Sequence, residues 1–528
     1  MGRGASYLIG VDLGTSATKA AIYDTDGELI ASATVGVALQ NPSSGIVEQD
    51  THDFYTSAAE AVRSCVRESG IDPRAVAAIA FDSQMAGVAT IDSEFLPATR
   101  FDSWLDMRCA PQIDRVRSDF GPLVTRLTGC PPTCDHGPKM LWWKEERPKE
   151  YAKISKFLMP SAYVAGRLAG IKVEEAFIDH TFLHFTGLTD TARGEWSSEL
   201  LERFGIDRAK LPRIVEPWEV IGEVSESGAR DFDLAEGTII AAGCGDTAAC
   251  ALGAGAVRQG MLFDTAGTAS VLAATTERFI ADEKNEALLC MRSVIPGLWH
   301  PLAYIGGGGL ALTWFIETFT DGDMREAGDE ERERSFDTAM ADAARISPGS
   351  DGLFFSPHLG GRICPSQPLM RGAWVGFTWR HTKDHFFRAI LESIAYEYGL
   401  YLQVIRDLVP GVEFSEARVV GGGARGALWN QIKADVLDVP YRRLVRRELG
   451  SWGAAMVAGR AAGLFPDLAE TATRCSYLDE TVFGVNKTAR GIYRPIAHRY
   501  LELSKELERT FQTITMAGPA AAPEGVKF

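Results

Sequence analysis

"YLIGVDLGTSATKAAIYDTDGELI", residues 7–30, opens with an apolar run that stops at Asp12. The chain turns through Gly14, Thr15 and Ser16, returns as a second apolar run, and turns again at Asp26-Gly27. Two short runs of β-forming residues bounded by Gly, Asp and Ser read as strand, turn, strand. Asp26-Gly27 is expected as a two-residue hairpin turn, because both residues tolerate positive φ. The polar tip has two readings. It is either the solvent end of a hairpin, or a cradle whose amides and hydroxyls meet phosphate while Asp12 attends a cation.

The residues that follow extend the pattern. In "THDFYTSAAEAVRSCVRESG", Phe54, Ala58, Ala61, Val62, Cys65 and Val66 share a helical face, with Thr51 as the expected start cap and Gly70 at the end. "AVAAIAFDSQ" then reads as a further strand, so a mixed sheet flanked by helices is predicted. The motif returns as "QGMLFDTAGTASVLAATTE", residues 259–277. A repeat at so long a spacing implies two similar domains rather than a solenoid. The expected division is residues 1–255, residues 256–510 and a disordered small-residue tail, 511–528. "DGDMREAGDEERERSFD" is expected to be a solvated charged segment.

Composition narrows the function classes. A chain of 528 residues is too long for one core. A net charge of -16 disfavours a nucleic-acid surface, and no apolar run approaches a membrane span. The nine scattered cysteines, without a Cys-x-x-Cys pair, suit reduced thiols and a cytoplasmic location. Cys130, Cys134 and His136 match no usual zinc spacing.

Five polar or glycine-rich turns carry the chemistry: "DLGTS", "GCGDTAA", "AGTAS", "GGGGLALTW" and "GGGARGALW". None fits the dinucleotide fingerprint or the Walker loop. Together their amides, with hydroxyls from Thr15, Ser16 and Thr268, could wrap a polyphosphate. Asp12 and Asp246 supply two carboxylates, one for Mg²⁺ through water and one to accept a proton, as phosphoryl transfer requires.

At this point the chain resembles the FGGY carbohydrate kinases, which include xylulose, ribulose, gluconate and glycerol kinases. The resemblance runs from about residue 7 to about residue 505. "GAWVGFTWRHTKDHFFRAILES", from Gly372, is similar to the family's C-terminal signature, "GCGDTAACALGAG" to its catalytic loop and "GGGARGALWNQIKADVL" to its adenosine loop. It implies an α/β fold of two ribonuclease-H-like domains of the actin and hexokinase type, with the active site in the cleft between them. It also implies ATP and Mg²⁺ as cofactors and a small sugar or polyol as substrate, with a homodimer left open and neither nucleic acid nor membrane as partner.

Roles follow position by position. Asp246 matches the base, expected at an ordinary carboxylate pKa of ~4, and Asp12 the Mg²⁺-associated aspartate. Thr15, Ser16, Lys19, Gly267 and Thr268 match phosphate contacts. Gly309, Thr313, Gly422, Gly423 and Ala424 match the nucleotide side. Gln84, Met85, Trp104, Asp106, Arg108, Asp179 and Thr247 match the sugar side. Ala86 and Leu105 stand where typical xylulose kinases carry histidine and asparagine, so the resemblance implies a pentulose without fixing which one. Plainer roles stay open: Lys19 as a solvated strand residue, Arg108 in a structural ion pair, Trp314 and Trp429 in the core, His385 as a structural group, and Gly453-Ala454-Ala455 as a helix-packing surface. The remaining alternatives are a kinase for another polyol, tetrulose or sugar acid, and a non-catalytic actin-like sensor or assembly protein.

Overall fold

Period-two alternation places every side chain of the first strand. The computed structural model describes residues 6–319, 328–446 and 448–516. Along β1 (Tyr7–Leu13), Ile9, Val11 and Leu13 pack into one helix layer, while Leu8, Gly10 and Asp12 face the opposite one. β1 pairs antiparallel with β2 (Ala17–Asp24), which pairs antiparallel with β3 (Leu29–Gly36). On its other side β4 (Val76–Ser83) runs parallel to β1, and β5 (Ile239–Ala241) runs parallel to β4. The second sheet repeats this with β6 (Met261–Ala266), β7 (Ser270–Ala274), β8 (Trp299–Ile305), β9 (Glu416–Val420) and β10 (Tyr441–Leu444). Its order, β8-β7-β6-β9-β10, has the same strand directions as β3-β2-β1-β4-β5. The repeated hairpin is therefore the visible part of a repeated sheet, and the fold is two α/β domains with mixed sheets flanked by helices.

Helix α1 (Thr51–Ser69) covers one face of the first sheet with Phe54, Ala58, Ala61, Val62 and Cys65, all without exposure. Its cap is Asp50 rather than Thr51: the Asp50 carboxylate, a stronger acceptor than a hydroxyl, takes the His52 amide. Gly70 closes the helix at φ 65°. Asp26-Gly27 also departs from expectation. The loop runs from Thr25 to Glu28, because the Asp24 carboxylate accepts the Asp26 and Glu28 amides, each at 2.9 Å, and holds a wider turn.

Helix α2 (Asp246–Gly253) follows the first sheet; α3 (Gly308–Phe319), α4 (Lys383–Leu408), α5 (Ala427–Leu437) and α6 (Leu449–Ala461) belong to the second half. α6 is buried on all sides between α2 and the first sheet, as an apolar helix without a polar face must be. Its contact needs missing side chains. A Cβ at Gly10 would lie 1.7 Å from the Ser451 carbonyl oxygen, and one at Gly453 would lie 2.1 Å from that of Ala249. Arg446 fixes the seam, with its guanidinium over the Tyr23 and Trp452 rings and Nη2 donating to the Gly27 carbonyl.

In the second core, Lys433 Nζ meets Asp264 Oδ2 at 2.6 Å, and both residues are wholly buried. The Tyr398 hydroxyl donates to Asp264 Oδ1 at 2.8 Å. Trp429 lies beneath Lys433 and donates to the Leu391 carbonyl, so it is a core aromatic. His385 accepts the Thr382 amide and caps α4. Among the described residues no helix is long and apolar enough to cross a membrane. Of the expected tail, 511–516 completes a helix, Lys487–Met516, and the remainder lies outside the described residues. The charged segment falls partly outside them, and its end enters the helix Asp329–Ala343.

Candidate active site

Three carboxylates meet where β1, β4 and α2 end or begin. Asp12 and Asp82 are register partners on parallel strands, so both side chains emerge on the α6 face. The short bridge Cys244↔Asp82, Gly245↔Ser83 then brings Asp246 alongside at the first turn of α2. Asp12 and Asp246 are partly exposed, whereas Asp82 has no exposure. Lys19 faces Asp12 across the hairpin. The α6 N-terminus closes the group: a Cβ at Gly450 would sit 3.3 Å from Asp12 Oδ2 and 3.4 Å from Asp82 Oδ2. The positive end of the α6 dipole thus faces two carboxylates.

Burial and mutual repulsion govern these groups. Burial pushes Asp246 up to about 7, the Asp12 charge adds to this, and hydrogen bonds from Thr247 oppose it. Those bonds run to Asp246 Oδ1 from the Thr247 amide at 2.5 Å and its hydroxyl at 3.1 Å. This corrects the ordinary pKa expected from sequence, because Asp246 is enclosed next to another carboxylate. Burial likewise raises Asp12, with Lys19 opposing, and holds Asp82 well above the usual range with Asp12 and Asp246 contributing.

Of the sugar-side residues Trp104 and Thr247 are partly exposed, and the others are largely buried around them. Gln84 Nε2 donates to Gln49 Oε1 at 3.0 Å, and Gln49 Nε2 donates to the Thr15 carbonyl at 3.0 Å. Gln84 Oε1 has no partner among the described residues. Trp104 Nε1 donates to the Thr15 hydroxyl at 2.9 Å, tying the sugar segment to the first hairpin tip. The Met85 side chain presses against Gly245, beside Asp246. Asp106 and Arg108 serve each other: Asp106 accepts the Val47 amide and Arg108 Nε, and Arg108 also reaches Glu48 and Asp102. They form an ion-pair network behind Trp104. His136 Nε2 donates to the Met85 carbonyl at 2.8 Å, and burial pushes it down to about 4, keeping it neutral. With Cys130 and Cys134 it forms no metal-holding group.

Asp179 is buried. Its Oδ1 accepts the Thr181 hydroxyl at 2.6 Å, and Thr181 Oγ1 accepts the Gly245 amide at 2.8 Å. This relay fixes the backbone just ahead of Asp246. Thr181→Val keeps the shape and breaks the relay, and small displacements of a reacting group are costly. We expect kcat to fall by ~10–10²-fold with nucleotide affinity unchanged. Steady-state kinetics with a nucleotide titration checks this, and an unaltered kcat would show that the relay does not position the loop.

On the nucleotide side, Gly267 and Thr268 form the tip of the second hairpin, and the Leu310 amide of α3 donates to the Thr268 carbonyl at 3.1 Å. A Cβ at Gly309 would lie 2.0 Å from the Gly267 carbonyl, so glycine lets α3 start directly on this tip. Gly421, at φ 97°, brings the third loop against Ala266 and Gly267. Gly267, Thr268, Gly309, Gly422 and Gly423 therefore share one rim, with Thr313 exposed one turn along α3 and Ala424 buried beneath. Trp314 is half-buried and stacks on Trp374 at 5.8 Å. At the first tip Thr15 is partly exposed; Ser16 and Lys19 are exposed.

These residues fit a nucleotide and a divalent cation. Three carboxylates face one lysine, and the tips leave amides and hydroxyls open. Among the described residues no three His, Cys, Asp or Glu side chains enclose a metal by themselves. Oxygen donors such as the Asp12 carboxylate suit Mg²⁺, which keeps waters and takes phosphate ligands. Sequence reasoning missed Asp82 and Thr181. The available signal for Asp82 was a carboxylate closing an apolar strand, as Asp12 does.

The N-terminal domain of the FGGY family of carbohydrate kinases matches residues 7–253, and the C-terminal domain of that family matches residues 263–462. The xylulose kinase of Bacillus subtilis (strain 168) is 28% identical over 471 residues, covering 88% of this chain and 90% of that protein. The gluconokinase of the same organism is 26% identical, covering 82% and 83%. A crystal structure of ligand-bound xylulose kinase from Lactobacillus acidophilus superposes with a TM-score of 0.87 at 24% identity, covering 96% of this chain and all of that one.

Proposed function

The chain belongs to the FGGY family of carbohydrate kinases, and on that footing we propose that it phosphorylates a terminal hydroxyl of a pentulose, with ATP as donor and Mg²⁺ as counter-ion. The observation that carries this reading is Asp246, held beside Asp12 at the head of α2 with its pKa pushed up to about 7. A base is most effective near the working pH.

Asp246 accepts the proton as the sugar oxygen attacks the γ-phosphorus, and the bond to the β-γ bridging oxygen breaks. Gln84, through its unpartnered Oε1, together with Met85 and Thr247, lines the sugar side, and Trp104 fixes its edge against Thr15. Asp106, Arg108 and Asp179 act behind these residues. Thr15, Ser16, Gly267 and Thr268 hold the phosphates, with Lys19 near the first tip. Gly309, Thr313, Gly422, Gly423 and Ala424 shape the adenosine rim. Asp12 holds Mg²⁺, which offsets phosphate charge when bound. The expected division near residue 256 lies between the two family matches.

The gluconokinase similarity supports a second reading, a kinase for a sugar acid. ATP turnover across pentuloses, tetruloses, alditols and aldonates tests both. A pentulose is expected to give the highest kcat/KM. Ala86 cannot donate the hydrogen bond of a histidine, so D-xylulose is expected to trail another pentulose. Highest turnover on an aldonate would transfer the assignment to the second reading, and no turnover on any member would overturn the kinase assignment for this chain.

A further inference from the structure

We propose that Asp82 is a second protein ligand of the divalent cation, holding it jointly with Asp12. The inference rests on the metal assignment above and extends it to a residue outside the expected site. The first observation is topological: parallel register places Asp12 and Asp82 side by side at the ends of β1 and β4, on the same sheet face. The second is an unmet need. Asp82 has no exposure, and the one side chain its carboxylate meets is the Asp12 carboxyl: no amide, hydroxyl or cationic donor reaches either oxygen among the described residues. A buried acceptor in that state is strongly disfavoured unless another group compensates.

The surroundings supply little compensation. Asp12 and Asp246 are carboxylates, Glu448 adds a further negative charge near Asp12, and burial keeps the Cys244 and Cys250 thiols neutral. Lys19 is a cation near both Asp12 and Asp82, and it is exposed on β2. The α6 N-terminus contributes a partial charge only. Because residue 450 is glycine, no side chain stands over the two carboxylates. A Cβ there would sit 3.3 Å from Asp12 Oδ2 and 3.4 Å from Asp82 Oδ2, in contact with both oxygens. An all-oxygen pair favours a hard ion such as Mg²⁺ or Mn²⁺, with waters and phosphates completing the shell.

The test uses the full chain and Mn²⁺ alone, followed by loss of the free-ion electron paramagnetic resonance signal. Wild-type protein is expected to bind Mn²⁺, and Asp82→Asn to bind it ~10–100-fold more weakly. A thermal melt and the circular dichroism spectrum establish that the variant is folded. Asp82→Cys gives an independent arm: a thiolate ligand should reverse the order of preference, so Cd²⁺ binds more tightly than Mn²⁺. That reversal cannot arise from a misfolded chain. Asp12→Asn separates the two levels of the argument. If Asp12→Asn loses Mn²⁺ while folded Asp82→Asn keeps wild-type affinity, Asp82 is not a ligand and the Asp12 assignment stands. If both variants match wild type, the underlying metal assignment fails as well, and the proposal with it.

Discussion

Asp246→Asn is expected to lower kcat by ~10²–10⁴-fold while leaving nucleotide affinity and folding near wild type. Asparagine retains the size and most of the hydrogen bonding to Thr247, and loses the basicity. The effect has a distinctive pH signature. Only the ionised carboxylate accepts a proton, and burial with the Asp12 charge raises its pKa to about 7. Wild-type kcat/KM should therefore rise with pH up to that region and then level off. Raising Mg²⁺ should shift the rising limb to lower pH, because a nearby cation favours the charged form. Asp246→Asn should lose the limb altogether. Near-wild-type kcat in a folded Asp246→Asn protein would remove this residue as the base.

Lys433→Met is expected to destabilise the second domain by about 3–5 kcal/mol, the usual consequence of stranding one partner of a buried ion pair. Methionine fills the stem of the lysine, so the loss comes from charge rather than volume. Asp264 keeps the Tyr398 hydroxyl and loses the ammonium at 2.6 Å. Asp264→Asn added to Lys433→Met removes the stranded charge and should recover much of the stability, since replacing a whole buried pair by neutral groups is often tolerated. Chemical denaturation of wild type, single and double variants measures this. A single variant within about 1 kcal/mol of wild type, well below the stranded-charge range, would show that water or another cation reaches Asp264. Because Asp264 lies on β6 just before Gly267 and Thr268, ATP binding should weaken along with stability.

Much of this architecture can be read along the chain because local patterns carry it. The apolar runs around Asp12 and around Thr265 end in glycine and hydroxyl residues for the same steric reasons, so the duplicated hairpin is visible without coordinates. Asp246 was legible because a carboxylate between Gly245 and Thr247 has no packing task. Asp82 was not. It closes an apolar strand as Asp12 does, but its meaning depends on parallel pairing with Asp12, and register between distant strands is not written in either strand alone. Arg108 is similar: three acidic partners at Glu48, Asp102 and Asp106 identify its structural role only once the fold assembles them. The raised pKa of Asp246 also depends on neighbours that sequence proximity does not reveal.

Helix α6 seats against β1 through Gly10, yet it emerges from the ribosome long after that strand. At typical synthesis rates the interval between Ser83 and Leu449 is roughly 20–70 s. During that time Leu8, Ala21, Ala78 and Ala80 lack the cover that α6 supplies in the finished protein. Nascent chains of this protein therefore carry a long-lived sticky surface, and chaperone demand during synthesis should track that delay rather than the stability of the completed fold.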